Sequence, residues 1–210
     1  MKSALYILAA LVLASLSAVA AEPKIIYTKI FPGSVPPYAG IVLERTGAGV
    51  YKDSPDDEAP AKFKLTELET ATIFDLAAKV DHFKKPLESG LKVANMGAKT
   101  FRWEDGGVPN EVKFNYTQDE SGKALLDWFE KIAESELHYF ALERSIKFDR
   151  LGVHKTLIDL NISWDRKRLV AVEQYLPMLD RIAKNESFLH MARERAAQLA
   201  AAFREKAAAE

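Results

Sequence analysis

The chain has 210 residues, 28 % of them charged, with 29 Lys and Arg against 30 Asp and Glu and no cysteine. A formal net charge of −1 offers no global attraction to nucleic acid or to an anionic lipid surface. Without cysteine there is no disulfide scaffold, thiol nucleophile or thiolate metal site, and the length is enough to bury a core without such staples.

Lys2 opens a short positive segment, Ala4 to Ala14 is an apolar run, and Ser15 to Ala21 is mostly small residues. This is the three-part pattern of a signal peptide. Ala18 and Ala20 offer the small side chains a signal peptidase admits, which predicts cleavage before Ala21, with Glu22 as the next candidate. The alternative is an uncleaved anchor, because about 17 apolar residues can just span a bilayer. The expected location is periplasmic or extracellular, with a membrane involved only if the segment is retained. No later stretch is apolar for long enough to span.

From Lys24 to Thr117 the hydrophobic period is mostly two. Lys24 to Phe31 is β-branched and aromatic and ends at Pro32 and Gly33, which reads as an edge strand. Ile41 to Arg45 and Val50 to Lys52 flank Thr46, Gly47, Ala48 and Gly49, a hairpin pattern. Ser54 to Pro60 is an acidic, proline-bearing loop. Ala61 to Leu65 alternates and leads into a helix opened by the capping box Thr66 to Glu69. Ile73, Leu76, Ala77, Val80 and Phe83 continue it at helical spacing as far as the stop at Pro86. Leu91 to Asn95 is a weaker strand candidate. Lys99 to Trp103 and Glu111 to Tyr116 alternate on either side of Asp105, Gly106 and Gly107, which turn the chain.

Near Gln118 the period changes to nearly four. Ser121 to Leu151 predicts one long helix, with Lys147 and Arg150 at its negative end and Gly152 as a left-handed cap. Val153 to Ile162 reads two ways, with Val153, Leu157 and Leu160 at helical spacing and Ile158, Leu160 and Ile162 in alternation; a helix that breaks near Ser163 is favoured. A further helix is expected from Trp164 to Asn185, with Pro177 kinking it or starting a fresh turn, and a last one from Glu186 to Lys206, frayed beyond Ala207. Together these predict an α+β fold: a small, mostly antiparallel β-sheet with one packed helix, followed by a C-terminal bundle of three or four helices. The corresponding division is a signal peptide over 1–20, an α+β domain over 21–118 and a helical region over 119–210, although the helices could equally pack back on the sheet.

Within that region, Val172 to Phe203 resembles a single HEAT-type helical hairpin. The matching features are Leu176, Pro177 and Leu179, the turn from Asn185 to Ser187, and then Arg193, Ala196, Ala197 and Leu199. Such families stack hairpins into curved protein-binding surfaces, so the resemblance implies a protein partner on the C-terminal helices. No second copy recurs at a constant period.

Candidate chemistry is sparse. His138 follows Glu134 by four residues, and His190 sits between Glu186 and Glu194 at the same spacing, so each set shares a helix face. A metal could lie between two such helices, but neither the Glu-x-x-His spacing of di-iron bundles nor a His-Glu-x-x-His run is present, and solvated ion pairs account for the spacing. His82 and His154 could meet Ser34 or Ser89 in space, yet no Gly-x-Ser-x-Gly elbow occurs. Gly47 to Gly49 is too short to cradle a phosphate. Arg166, Lys167 and Arg168, and likewise Arg193 and Arg195, could face an anionic partner, but interspersed Asp165 and Glu194 fit a solvated helix face. Trp103, Phe101, Phe114 and Tyr116 could form a ligand platform or, as their alternation favours, a buried sheet face. Sequons at Asn115, Asn161 and Asn185 are taken as chance. No catalytic residue, cofactor site or metal-ligand set can be assigned. The expected function is an exported, non-catalytic binding or interaction protein of the cell envelope or periplasm. The alternatives are an exported hydrolase with a non-contiguous active site and a membrane-tethered scaffold.

Overall fold

A computed structural model describes residues 22–209, so the segment read as a signal peptide lies outside the described residues. Six strands form one antiparallel sheet: β1 (Lys24–Ile30), β2 (Tyr38–Glu44), β3 (Ala48–Lys52), β4 (Ala61–Lys64), β5 (Ala98–Glu104) and β6 (Asn110–Phe114), in the order β4-β3-β2-β1-β5-β6. Alternation sets which face is covered. Ile25 and Tyr27, Ala39, Ile41 and Leu43, Tyr51, Phe63, Phe101 and Trp103, and Val112 and Phe114 all point into one core. Gly49 sits opposite Phe63 in the β3–β4 ladder, and the Phe63 ring occupies the space a Cβ there would take.

The strand expected at an edge is central. β1 pairs with β2 on one side and β5 on the other, in register from Lys24 to Ile30. Pro32 falls beyond the last paired residue, so no ladder donor is missing and the edge inference does not apply. Leu91 to Asn95 forms no strand. The segment before β5 is pinned by Asn115, whose Nδ2 donates to the Ala94 carbonyl (3.0 Å) and whose Oδ1 accepts from the Met96 amide (2.7 Å).

Helix α1 (Glu67–Lys79) begins with the predicted capping box: the Thr66 hydroxyl accepts from the Glu69 amide and the Glu69 carboxylate accepts from the Thr66 amide, both at 3.2 Å. It ends earlier than its apolar spacing suggested. Asp81, His82 and Phe83 adopt positive φ, and this left-handed turn swings Phe83 onto Phe101, ring centroids 5.1 Å apart and nearly parallel.

Helix α2 (Glu120–Phe148) is capped by Asp119, which accepts from the Gly122 amide at 2.7 Å. Its first half packs Leu125, Phe129 and Ile132 on the sheet; its second half gives Leu142 and Ile146 to a separate helical core. Gly152 is not a left-handed cap. Its φ is −71°, it starts α3 (Val153–Asp165), and its amide donates to the Asp149 side chain that closes α2. α3 runs through Ser163 and includes Trp164, so the helix expected from Trp164 is two pieces. Lys167 and Ala171 take positive φ, a single turn spans Val172–Tyr175, and α4 (Leu176–Lys184) follows, with Pro177 in its first turn where no amide donor is needed. α5 (His190–Ala209) starts after a turn in which Asn185 accepts from the Ser187 amide, and it stays helical past Ala207. The result is the expected α+β architecture with a C-terminal helical group.

Candidate functional site

A cleft of about 320 Å³ opens where the turn joining β1 to β2 faces the middle of α2. The sheet supplies Tyr27, Lys29, Ala39 and Tyr51; the turn supplies Ser34, Val35, Pro36 and Pro37; α2 supplies Glu130, Ala133, Glu134 and Leu137; and Arg168 arrives from beyond α3. The turn is held by an amide bond from Phe31 to the Pro37 carbonyl (2.9 Å) and by Ser34, whose hydroxyl lies 2.7 Å from both the Phe31 and the Pro36 carbonyls.

Tyr27 and Tyr51 are 1 % and 0 % exposed, and neither hydroxyl has a hydrogen-bond partner among the described residues. Leaving such a group dry costs about 1–3 kcal/mol. Burial raises the Tyr27 pKa, reinforced by the Glu130 charge. Burial also raises that of Tyr51, with help from Asp53, Glu136 and Asp57. Both phenols therefore stay protonated and can each donate and accept one bond, but neither serves as a base. The rings are fixed from behind. Tyr27 packs on Phe101 and Phe129 at 5.1 and 5.3 Å, and Tyr51 on Phe140 at 6.2 Å.

The charges on the wall are already paired. Lys29 Nζ lies 3.3 Å from Glu130, and Arg168 bonds Glu134 through Nε at 2.9 Å and also contacts Asp127. Glu134 further accepts from the Ser163 hydroxyl at 2.8 Å, and His138 Nε2 lies 2.8 Å from that same oxygen. Ser163 has one proton and gives it to Glu134, so His138 is the donor to Ser163. That order is the reverse of a nucleophile activated by histidine, in which serine donates to the ring. Burial lowers the His138 pKa against the opposing charges of Glu134 and Asp159, and neither His138 nor Ser163 lines the cleft.

Behind the wall, Glu136 is 1 % exposed. Gln174 donates to one of its oxygens at 2.7 Å, and the other has no partner among the described residues. Burial lifts its pKa from 4.5 to about 7, opposed by that hydrogen bond.

The other residues singled out in the sequence are dispersed. His190 pairs with Glu194 at 3.1 Å on an exposed face. His82 packs on Trp103, centroids 4.2 Å apart, and His154 is half-buried on α3. Ser89 bonds its own neighbours, Glu88 and the Leu91 amide. Arg168 turns from the basic run toward the cleft, where it is about a quarter exposed. Phe101, Trp103 and Phe114 are core, as their alternation favoured. All three sequon asparagines use their side chains in hydrogen bonds, Asn161 to Asp165 at 2.8 Å. Among the described residues no three metal-ligating side chains cluster, and no helix is long and apolar enough to cross a membrane.

Sequence reasoning passed over Tyr27, Tyr51, Lys29 and Glu130. The one signal was tyrosine at inward-facing strand positions, where phenylalanine would fill the same space without needing a partner. Comparison of the chain with family models, with curated proteins and with solved structures returns no match, leaving the chemistry of the cleft as the guide to function.

Proposed function

We propose that this protein is exported and acts as a non-catalytic binding protein of the cell envelope, with the cleft against α2 as its ligand site. The observation that carries the proposal is the pair of buried phenol hydroxyls left without partners on the wall of a cavity. Polar groups in this state are found where something else supplies the missing bond. The lining holds neither histidine nor an unpaired carboxylate to move a proton, which favours binding over turnover. Export is supported by the three-part pattern of residues 1–20. The resemblance of Val172 to Phe203 to a HEAT-type hairpin supports a protein partner on the C-terminal helices.

A second reading, an exported hydrolase, would use the 2.8 Å contact between His138 and Ser163, with the serine proton turned from Glu134 to the ring. The two are separated by assay of the purified protein on esters, glycosides and peptides. Turnover that disappears in Ser163→Ala would replace the binding proposal with the hydrolase. N-terminal sequencing of protein recovered from cells addresses export. A start at Ala21 or Glu22 supports a released envelope protein, and a start at Met1 supports a membrane-tethered one.

A further inference from the structure

Resting on that binding proposal, the geometry points to a ligand class: we infer that the cleft takes one ring of an uncharged saccharide. Three features of the wall select it.

The first is charge. Lys29, Glu130, Glu134 and Arg168 are the charged residues of the lining, and each is already paired across the cleft wall. An anion drawn to Lys29 or Arg168 would sit beside Glu130 or Glu134, and a cation drawn to those carboxylates would sit beside Lys29 or Arg168. The like charge offsets the attraction, so an ion gains little on entering.

The second is hydrogen bonding. The Tyr27 and Tyr51 hydroxyls are each able to donate and to accept, and neither does so among the described residues. A hydrocarbon would leave both orphaned, and a carboxylate could only accept. Sugar hydroxyls match a phenol in both roles, as a site built to bond hydroxyls requires.

The third is shape. The volume, about 320 Å³, lies at the bottom of the range of roughly 300–1,000 Å³ spanned by small-molecule sites, which limits the occupant to about one ring. The apolar part of the lining is aliphatic, chiefly Val35, Pro36, Ala133 and Leu137. The tyrosine rings are packed against other aromatics and are buried, so they offer little stacking surface to a planar ligand. A saturated ring presenting C–H groups on one side and hydroxyls on the other fits both walls. Because the hydroxyls lie below the surface that water reaches, full engagement requires the cleft wall to yield around them.

The test is ligand-observed NMR and calorimetric titration of the purified protein with glucose, galactose and N-acetylglucosamine. Glucuronate and glucosamine serve as charged controls, and N-methylacetamide as a neutral amide control. At least one neutral sugar is expected to bind with Kd below about 1 mM and at least about tenfold more tightly than its charged analogue. Tyr27→Phe and Tyr51→Phe keep the ring packing; each should weaken that sugar several-fold, and the double variant about tenfold or more, while the unliganded melting temperature holds or rises. A charged or amide probe that binds best, and loses affinity in the double variant, overturns the saccharide assignment and leaves the binding proposal standing. If no probe binds, the saccharide assignment falls; if the Phe variants then also melt lower than the parent, the hydroxyls are structural and the binding proposal falls with it.

Discussion

Glu136→Gln should make the protein more stable at neutral and alkaline pH and change it little in acid. The carboxyl is held in the folded chain with a pKa of about 7 against an ordinary 4.5, because burial disfavours its charged form more than the Gln174 hydrogen bond favours it. A folded value above the unfolded one means that the folded state grips the proton more tightly. The stability this gives is complete below about pH 4.5 and drains away as pH rises to about 7 and beyond. At about 1.4 kcal/mol for each pH unit between the two values, the total loss is about 3 kcal/mol. Glutamine has the same shape, keeps an acceptor for Gln174 and carries no proton to lose. The stability gap between E136Q and the parent should therefore open by about 2 kcal/mol between about pH 5 and about pH 7.5. Urea unfolding followed by tryptophan fluorescence at several pH values measures it. His138 titrates in the opposite sense, since its depressed pKa makes acid destabilising, but it is common to both proteins and cancels in the difference. A gap that stays constant across this range would mean that Glu136 does not change its proton affinity on folding. A variant weaker than the parent at pH 7.5 would mean that the charge itself is used.

Gly49→Ala places a methyl group 2.1 Å from the Phe63 ring across the β3–β4 pair. The ring must move, and a loss of about 1–3 kcal/mol in urea unfolding is expected, partly recovered by adding Phe63→Leu; an unchanged stability would place the ring elsewhere. Glu69→Ala removes the capping box, the acceptor 2.7 Å from Lys206 and an acceptor for the Ala171 amide. Because Lys206 is about a quarter exposed and water screens the pair, the cost should be about 2–3 kcal/mol rather than that of a fully buried pair. Hydrogen exchange should quicken at both the start of α1 and the end of α5, whereas a change confined to α1 would show that the link to α5 contributes nothing.

What the sequence disclosed was whatever is decided locally. The alternation of Phe101 with Trp103 and of Val112 with Phe114 names a buried sheet face without reference to the rest of the chain. The Thr66 and Glu69 capping box is a contract between residues three apart. What it withheld was decided by contacts at long range. β1 is central because β5, some seventy residues later, pairs along its whole length; nothing within Lys24 to Ile30 records that. Asp81 and His82 tolerate positive φ better than most residues, but Phe83, Lys167 and Ala171 have no such preference, and the burial of Phe83 and Ala171 holds those turns in place. The cleft was hidden for the same reason. Tyr27 and Tyr51 follow the pattern of core aromatics, and only the missing partners of their hydroxyls distinguish them. Lys29 and Glu130 stand 101 positions apart in the chain, and Arg168 reaches Asp127 from 41.

The composition of the cleft also says which parts of the chain it needs. The sheet and its first turn bring both tyrosines, Lys29 and the aliphatic turn, but the facing wall is α2, and Arg168 holds that wall from beyond α3. α2 is the beam between the two cores: Phe129 and Ile132 bind it to the sheet, while Leu142 and Ile146 bind it to the remaining helices. Glu130 and Glu134 lie between those anchor points, within two turns of the helix. Their position against Tyr27 and Lys29 is therefore set jointly by both cores. The bond from Ser163 and the guanidinium of Arg168 carry the helical side of that constraint directly to Glu134. A helical region that only presented a docking surface would not need to reach into the cleft in this way; here it supplies part of the wall.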